Sequence, residues 1–223
     1  MPAIGRESAR TNGELLTGLL RRVGVATTDT NNREVAREGL REAVNEFNLE
    51  RSWVDRRLTV RLTLVASTAT YSLASRFRKS VTDQAWLVDS SNNRRLVVQE
   101  NTYKQFLHNV TDESVTASDP TIFTIVNRVD TGTVELWPPP SATTITNYPS
   151  FEMVYFADIP FSVADNDNLE VSGALESAVF ANALVKVNDM IGDDGKSAAF
   201  IRGADRMRSL ALGYDSTLRL RND

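Results

Sequence analysis

His108 is the only histidine in the chain, and there is no cysteine. One histidine cannot build a histidine metal cluster, and any Ser-His-Asp triad would have to use it. No Gly-x-Ser-x-Gly elbow is present to hold a nucleophile. His108 follows Phe106 and Leu107, a setting that reads as packing rather than catalysis. Neither Gly-x-x-x-x-Gly-Lys nor Gly-x-Gly-x-x-Gly occurs, so the usual phosphate-cradling loops are missing. Asp165-Asn166-Asp167-Asn168 begins like a calcium loop but lacks the turn glycine and a correctly spaced glutamate. It reads as a solvated turn before a helix, and Asp193-Asp194 as a helix–helix turn. Trp53, Trp86 and Trp137 could line a sugar-binding surface, but at strand and helix ends they read as core plugs. No catalytic residue, cofactor or metal is expected.

Charge, in contrast, is organised. Arg33, Arg37 and Arg41 recur every four residues, and Glu34, Glu38, Glu42 and Glu46 form the next row. At about 100° per residue the arginine row borders an apolar stripe of Ala36, Leu40, Ala43, Val44 and Phe47, while the glutamate row lies nearly opposite it. Such a helix either presents a solvated face or meets a neighbouring subunit along its charged flank. The formal net charge is −4, which argues against a phosphate-neutralising nucleic-acid grip. Basic residues are mostly arginine, the better partner for interfacial ion pairs, although genome base composition explains the skew as well.

The elements that carry these residues follow from periodicity. Asn12 caps a helix through about Val23, ended by Gly24. The charged helix spans about Asn32 to Trp53. From Arg57 the period becomes two, with Leu58, Val60, Leu62 and Leu64 alternating with polar residues. Short strands follow at Thr70 to Leu73, Ala85 to Val88 and Leu96 to Val98, with hairpin chemistry between the last two at Asp89 to Asn93. Thr102 to Asn109 reads as a short helix with Tyr103, Phe106 and Leu107 inward. A polar loop from Thr111 to Asp119 precedes a strand at Ile122 to Val126. Asp130-Thr131-Gly132 then turns into Thr133 to Trp137, where Trp137 closes the core and Pro138-Pro139-Pro140 stop the ladder. Ser150 to Phe156 is the last strand. A nearly all-apolar helix from about Ser172 to Met190 is buried on several sides. A fourth helix presents Phe200, Ala204, Met207, Leu210, Ala211 and Tyr214 on one face and ends near Gly213.

The fold class this predicts is α+β. A four-helix bundle comes from the N- and C-terminal helix pairs, with an inserted antiparallel β-sandwich or barrel-like domain. The boundaries expected are 1–56 for the first helical part, with residues 1–11 a loose arm, 57–158 for the β-domain with Tyr71, Trp86 and Trp137 in its core, 159–214 for the closing helices and 215–223 for a tail. The chain has 223 residues, 41% of them hydrophobic, so a sizeable core is available. No apolar run is long enough to span a membrane, and no signal core opens the chain. Zero cysteines are compatible with a reducing compartment.

The order of motifs resembles the head-to-tail adaptor (connector) proteins of short-tailed tailed phages. A helix pair leads to Trp53-Val54 and then the alternating strand Leu58 to Leu64. The family's Tyr-Ser-Leu-Pro stands here as Tyr71-Ser72-Leu73-Ala74, followed by Phe77-Arg78. Its Gly-x-Pro stands as Ser118-Asp119-Pro120 ahead of Phe123. Its Leu-Trp-Pro-x-Pro matches Leu136 to Pro140, and Tyr155, an Asp-rich loop and a closing helix pair complete the series. The resemblance covers roughly residues 12–214. It implies a non-enzymatic virion protein of the neck, assembled in the host cytoplasm as a twelve-fold ring. The ring would bind the portal on one side and the tail or nozzle on the other, with no membrane contact. DNA would pass through its lumen without specific binding. On that reading Arg33, Glu34, Arg37, Glu38, Arg41 and Glu42 lie at the subunit seam. Leu218, Arg219, Leu220 and Arg221 dock on the portal as an extended segment or form a terminus disordered in the free protein. The rival expectation is a carbohydrate- or receptor-binding β-module of a virion, with Trp86 and Trp137 as stacking platforms.

Overall fold

The computed structural model describes residues 10–110, 116–127, 131–192 and 194–222. The expected arm before Arg10, part of the polar loop, the turn at Asp130 and Asp193 of the helix–helix turn lie outside these residues. The chain divides into two compact units. One comprises Met1–Arg56 and Ile159–Asp223, and the other comprises Arg57–Asp158.

The first unit is helical. Helix α1 (Asn12–Val23) is capped by Thr11, not Asn12, in a reciprocal box with Glu14, and Gly24 ends it in the left-handed region at φ 94°, as capping and glycine chemistry allow. Helix α2 (Thr30–Glu50) starts on Asp29, whose carboxylate accepts from the Asn32 N–H at 2.9 Å. After α2, Trp53 is buried on Phe47, its ring centroid 5.5 Å away, and its indole N–H donates to the Phe47 carbonyl. Helix α5 (Gly173–Ile191) is capped by Ser172 and closed by Gly192 at φ 80°. It is the axis of the unit: α1, α2 and α6 (Asp194–Asn222) all pack on it. The α2–α5 approach is closest at Gly39, where an added Cβ would lie 2.6 Å from a Val187 methyl carbon.

Helix α6 corrects two expectations. Gly213 does not end it, and residues 215–222 are helical instead of extended. A mid-helix glycine costs only about 1 kcal/mol, and the last turns are pinned strongly enough to outweigh that. Asp215, 3% exposed, bridges Arg51 at 2.8 Å and Arg219 at 2.9 Å, and accepts from the Val54 N–H at 2.6 Å. The buried face is Ala211 and Asp215, with Phe200, Ala204, Met207 and Leu218 half-buried, whereas Leu210 and Tyr214 are exposed. Their position in the 3.6 period lies to one side of the stripe.

The second unit is a single eight-stranded sheet that nearly closes into a barrel. The strands are β1 (Arg57–Thr63), β2 (Thr70–Ser75), β3 (Phe77–Ser80), β4 (Gln84–Val88), β5 (Arg94–Glu100), β6 (Ile122–Asn127), β7 (Thr131–Trp137) and β8 (Ser150–Ala157). They run in the order β1-β8-β4-β5-β6-β7-β2, with β3 also on β8. The ends β1 and β2 come near one another. The barrel-like alternative therefore holds and the two-sheet sandwich does not, and the β5–β6 pair is parallel, so the sheet is mixed. Two helices flank the strands: α3 (Tyr103–Asn109) and α4 (Ala142–Asn147).

The core of this unit is built by Leu87, Val98, Phe123, Val134, Leu136 and Phe151 on their strands' inner faces, with Phe123 and Phe151 edge to face at 5.5 Å. The aromatics expected to fill it do not. With period two, the buried Gly132, Val134 and Leu136 put Trp137 on the other face of β7, half-buried beside Thr133 and Glu135. Trp86 is likewise opposite Ala85 and Leu87. Tyr71 packs half-buried at the core's edge. Its hydroxyl accepts from the Val65 N–H at 3.1 Å and donates to the Thr68 carbonyl at 2.9 Å, tying down the β1–β2 loop. In α3 only Phe106 points inward, since Tyr103 and Leu107 are about half exposed. The three prolines do end β7 at Trp137, because a proline nitrogen carries no N–H to continue the ladder. Pro139 and Pro140 still accept through their carbonyls, from Ser118 at 3.0 Å and Ser67 at 2.8 Å.

Candidate interaction surfaces

His108 is exposed on α3, beside a shallow hollow lined by Asn101, Lys104 and Gln105. Among the described residues no group of three His, Cys, Asp or Glu side chains could hold a metal, and no helix is long and apolar enough to cross a membrane. The Asp165 to Asn168 segment works as a clamp. Its Asp165 and Asp167 carbonyls accept from the Gly13 and Asn12 N–H groups, satisfying orphan donors at the start of α1. The Asp165 carboxylate accepts from Arg33 at 2.6 Å and Arg37 at 3.5 Å.

That clamp decides which of the charged α2 residues remain available. Arg33 and Arg37 turn toward Asp165, and Arg37 also binds Glu34. The Glu34 hydrogen bond, outweighing burial, holds the Arg37 guanidinium above its already high pKa. Arg41 pairs with Glu38 at 2.5 Å, both about half exposed. Glu42 makes no ion pair among the described residues. Glu46 turns inward to α5, accepting from Asn182 at 2.6 Å and from Lys186. The outer stripe of α2 is thus Glu38, Glu42 and Asn45, ending in Leu49, which is 83% exposed.

The tail residues are also partly committed. Arg219 pairs with Asp215 and donates to the Ser52 carbonyl, and Leu218 is half-buried. Leu220 is 84% exposed, and the Arg221 side chain lies outside the described residues.

A surface not anticipated from the sequence lies between α5 and α6. Phe180, Ala181, Leu184, Ala199, Phe200, Gly203 and Met207 line a groove of about 310 Å³, walled by Arg10 and Arg22. Both guanidinium groups lie over the Phe180 ring, 4.8 and 5.1 Å from its centroid, within the reach of a cation–π attraction. Arg10 also pairs with Glu176 at 2.6 Å. The groove's line along α6 continues through the exposed Leu210 and Tyr214, which follow Gly203 and Met207 at helical spacing. The exposed Arg206 flanks it, with no ion pair among the described residues. The groove's signal was present in the small residues Ala199 and Gly203, which leave the helix thin where the floor is apolar.

In the β-unit, the most organised polar cluster is Glu152, 5% exposed on β8 between Arg61 and Arg94. Arg94 also covers Trp86, 4.0 Å from the ring centroid, so this indole face is occupied and is no open sugar platform. Burial pushes the Glu152 carboxyl up, but the bonds and charges of Arg61 and Arg94 outweigh it, leaving a pKa below the ordinary value. A depressed folded pKa gives stability that is complete above the unfolded value, about 4.3, and is lost as pH falls through the folded one. Glu152→Gln removes that linkage. Melting curves of the variant will shift less than those of the parent between about pH 5 and pH 3; equal shifts would contradict the assignment.

The described residues form two units, one helical and one a nearly closed sheet, whose surfaces carry an apolar groove and a charged helix stripe. The SU10 adaptor protein family model matches residues 11–221, and the chain belongs to that family. It is a structural adaptor of tailed phages and a virion component that interacts with other virion proteins. No curated protein matches the chain.

Proposed function

We propose that this adaptor forms a ring between the portal and the tail or nozzle, in the neck of the virion, and leaves a passage for DNA. The observation that carries the reading is the family match over nearly the whole chain. Helices α1, α2, α5 and α6 act as a four-helix wall in which subunits meet side by side, and the β-unit meets the tail. The seam draws on the α2 flank of Arg33, Glu34, Arg37, Glu38, Arg41 and Glu42. The end of α6, with Leu218 to Arg221, docks on the portal as a helix. A head-to-tail interface closes into a ring when its rotation permits, and the ring proposed has twelve copies. The net charge of −4 suits a lumen that lets DNA slide. Mass photometry of the chain mixed with portal rings tests this. A single discrete complex heavier than the portal by many chain masses is expected; a chain that stays monomeric and never joins the portal would refute it.

A further inference from the structure

We infer that the α5–α6 groove receives the outer stripe of α2 from a second copy of this chain, with Leu49 as the inserted residue. The inference rests on the assembly reading above and specifies its seam.

Chemistry and geometry both select this occupant. The groove floor is apolar (Phe180, Phe200, Met207) and Arg22 stands on one wall. Arg206, exposed on α6 one turn from Gly203, makes the other rim basic as well. A matching ligand is an apolar knob on an acidic helix face. The chain presents one in Glu38, Glu42 and Leu49 of α2. At helical pitch these three fall within about 40° of one another, opposite the buried stripe. Leu49 is 83% exposed. Its burial therefore stabilises contact without unmaking any existing packing. Glu42 has no ion pair among the described residues, and neither Arg202 nor Arg206 has one.

The two surfaces do not compete. Helix α2 meets α5 through Asn182, Lys186 and Val187. Ser177, Phe180, Ala181 and Leu184 line the groove, and helical spacing projects them away from Asn182 and Lys186, with Val187 on the arc between the two sets. Each copy therefore offers a knob on one side and a groove on the other, the arrangement a heterologous interface requires.

The absence of cysteine makes a direct test possible. Leu49→Cys and Gly203→Cys are made separately. Neither disturbs packing, because Leu49 is in solvent and a Cβ at Gly203 meets no heavy atom within 4 Å. A disulfide forms only when the Cα atoms come within about 7 Å. Under mild oxidant, an equimolar mixture of the variants will give a two-chain band on non-reducing gels, while each variant alone stays single-chain. Adding Arg206→Glu to the Gly203→Cys chain will cut the band, and Glu42→Arg on the other chain will restore it. A band from Leu49→Cys alone, or none from the mixture when the parent chain assembles, overturns the pairing and leaves assembly standing. A parent chain that assembles neither alone nor on portal rings removes the reading on which the pairing rests.

Discussion

Asp215→Ala will lower the unfolding free energy of the helical unit by about 2–4 kcal/mol, dropping its melting temperature by roughly 5–15 °C. The carboxylate is 3% exposed and holds three groups from two places: Arg51 and the Val54 N–H beyond α2, and Arg219 one turn along α6. Removing one member of a buried ion pair costs about 3–5 kcal/mol because the remaining charge is left uncompensated. Both arginines are about a third exposed. Water therefore screens part of that loss, and the expected figure falls below the full range. The Val54 N–H adds the cost of an unsatisfied donor, about 1–3 kcal/mol if it stays dry. Asp215→Asn keeps an acceptor for Val54 and will cost roughly half as much. Urea denaturation followed by far-ultraviolet circular dichroism reads both; a loss under about 1 kcal/mol for the alanine variant would mean the end of α6 is not pinned as described.

Gly39→Leu is the second large effect, and its sign is a contest between two terms. Leucine is favoured over glycine within a helix by about 0.8 kcal/mol. Against this, even the Cβ would sit 2.6 Å from a Val187 methyl carbon and 3.2 Å from the Val187 backbone nitrogen. Valine in a helix has essentially one rotamer, so it cannot swing away, and α2 must lift from α5. Overpacking of this kind costs about 1–3 kcal/mol for single methylenes and more for a whole isobutyl group, so a net loss of about 2–3 kcal/mol is expected. Val187→Ala will make room, and the double variant will be more stable than the sum of the single effects implies, by at least about 1 kcal/mol. Simple additivity would place the clash elsewhere.

Much of the fold was legible because local signals agreed with the tertiary answer. Gly24 and Gly192 end their helices in the left-handed region, and the apolar stripes of α1 and α2 are the buried faces. Local and tertiary signals parted company in particular places. Gly213 looked like a stop, but Asp215 and Ala211, beyond or beside it, are anchored by contacts distant in sequence. Trp137 and Trp86 looked like core residues by type, yet the strand period places them opposite the buried side chains. Helix α4 follows three prolines in a threonine-rich run that favours strands, and the Ser141–Thr144 capping box overrides that preference. Strand β3 is four residues long and was too short to show a period. The charged rows on α2 were visible in the sequence. That Arg33 and Arg37 are taken up by Asp165 was not, because that carboxylate arrives from 132 and 128 residues away. The groove is likewise not legible in any one segment: α5 and α6 each carry half of it, and Arg10 and Arg22 supply its wall.

In the proposed function, copies of this chain assemble on a portal by their helical sides. Electron microscopy of purified portal rings incubated with the chain examines it in one image set. The expected class averages show a second ring of density, coaxial with the portal and of matching symmetry, with an open lumen. Bare portal rings beside unassembled chains, at concentrations that saturate any binding measured in solution, would contradict it.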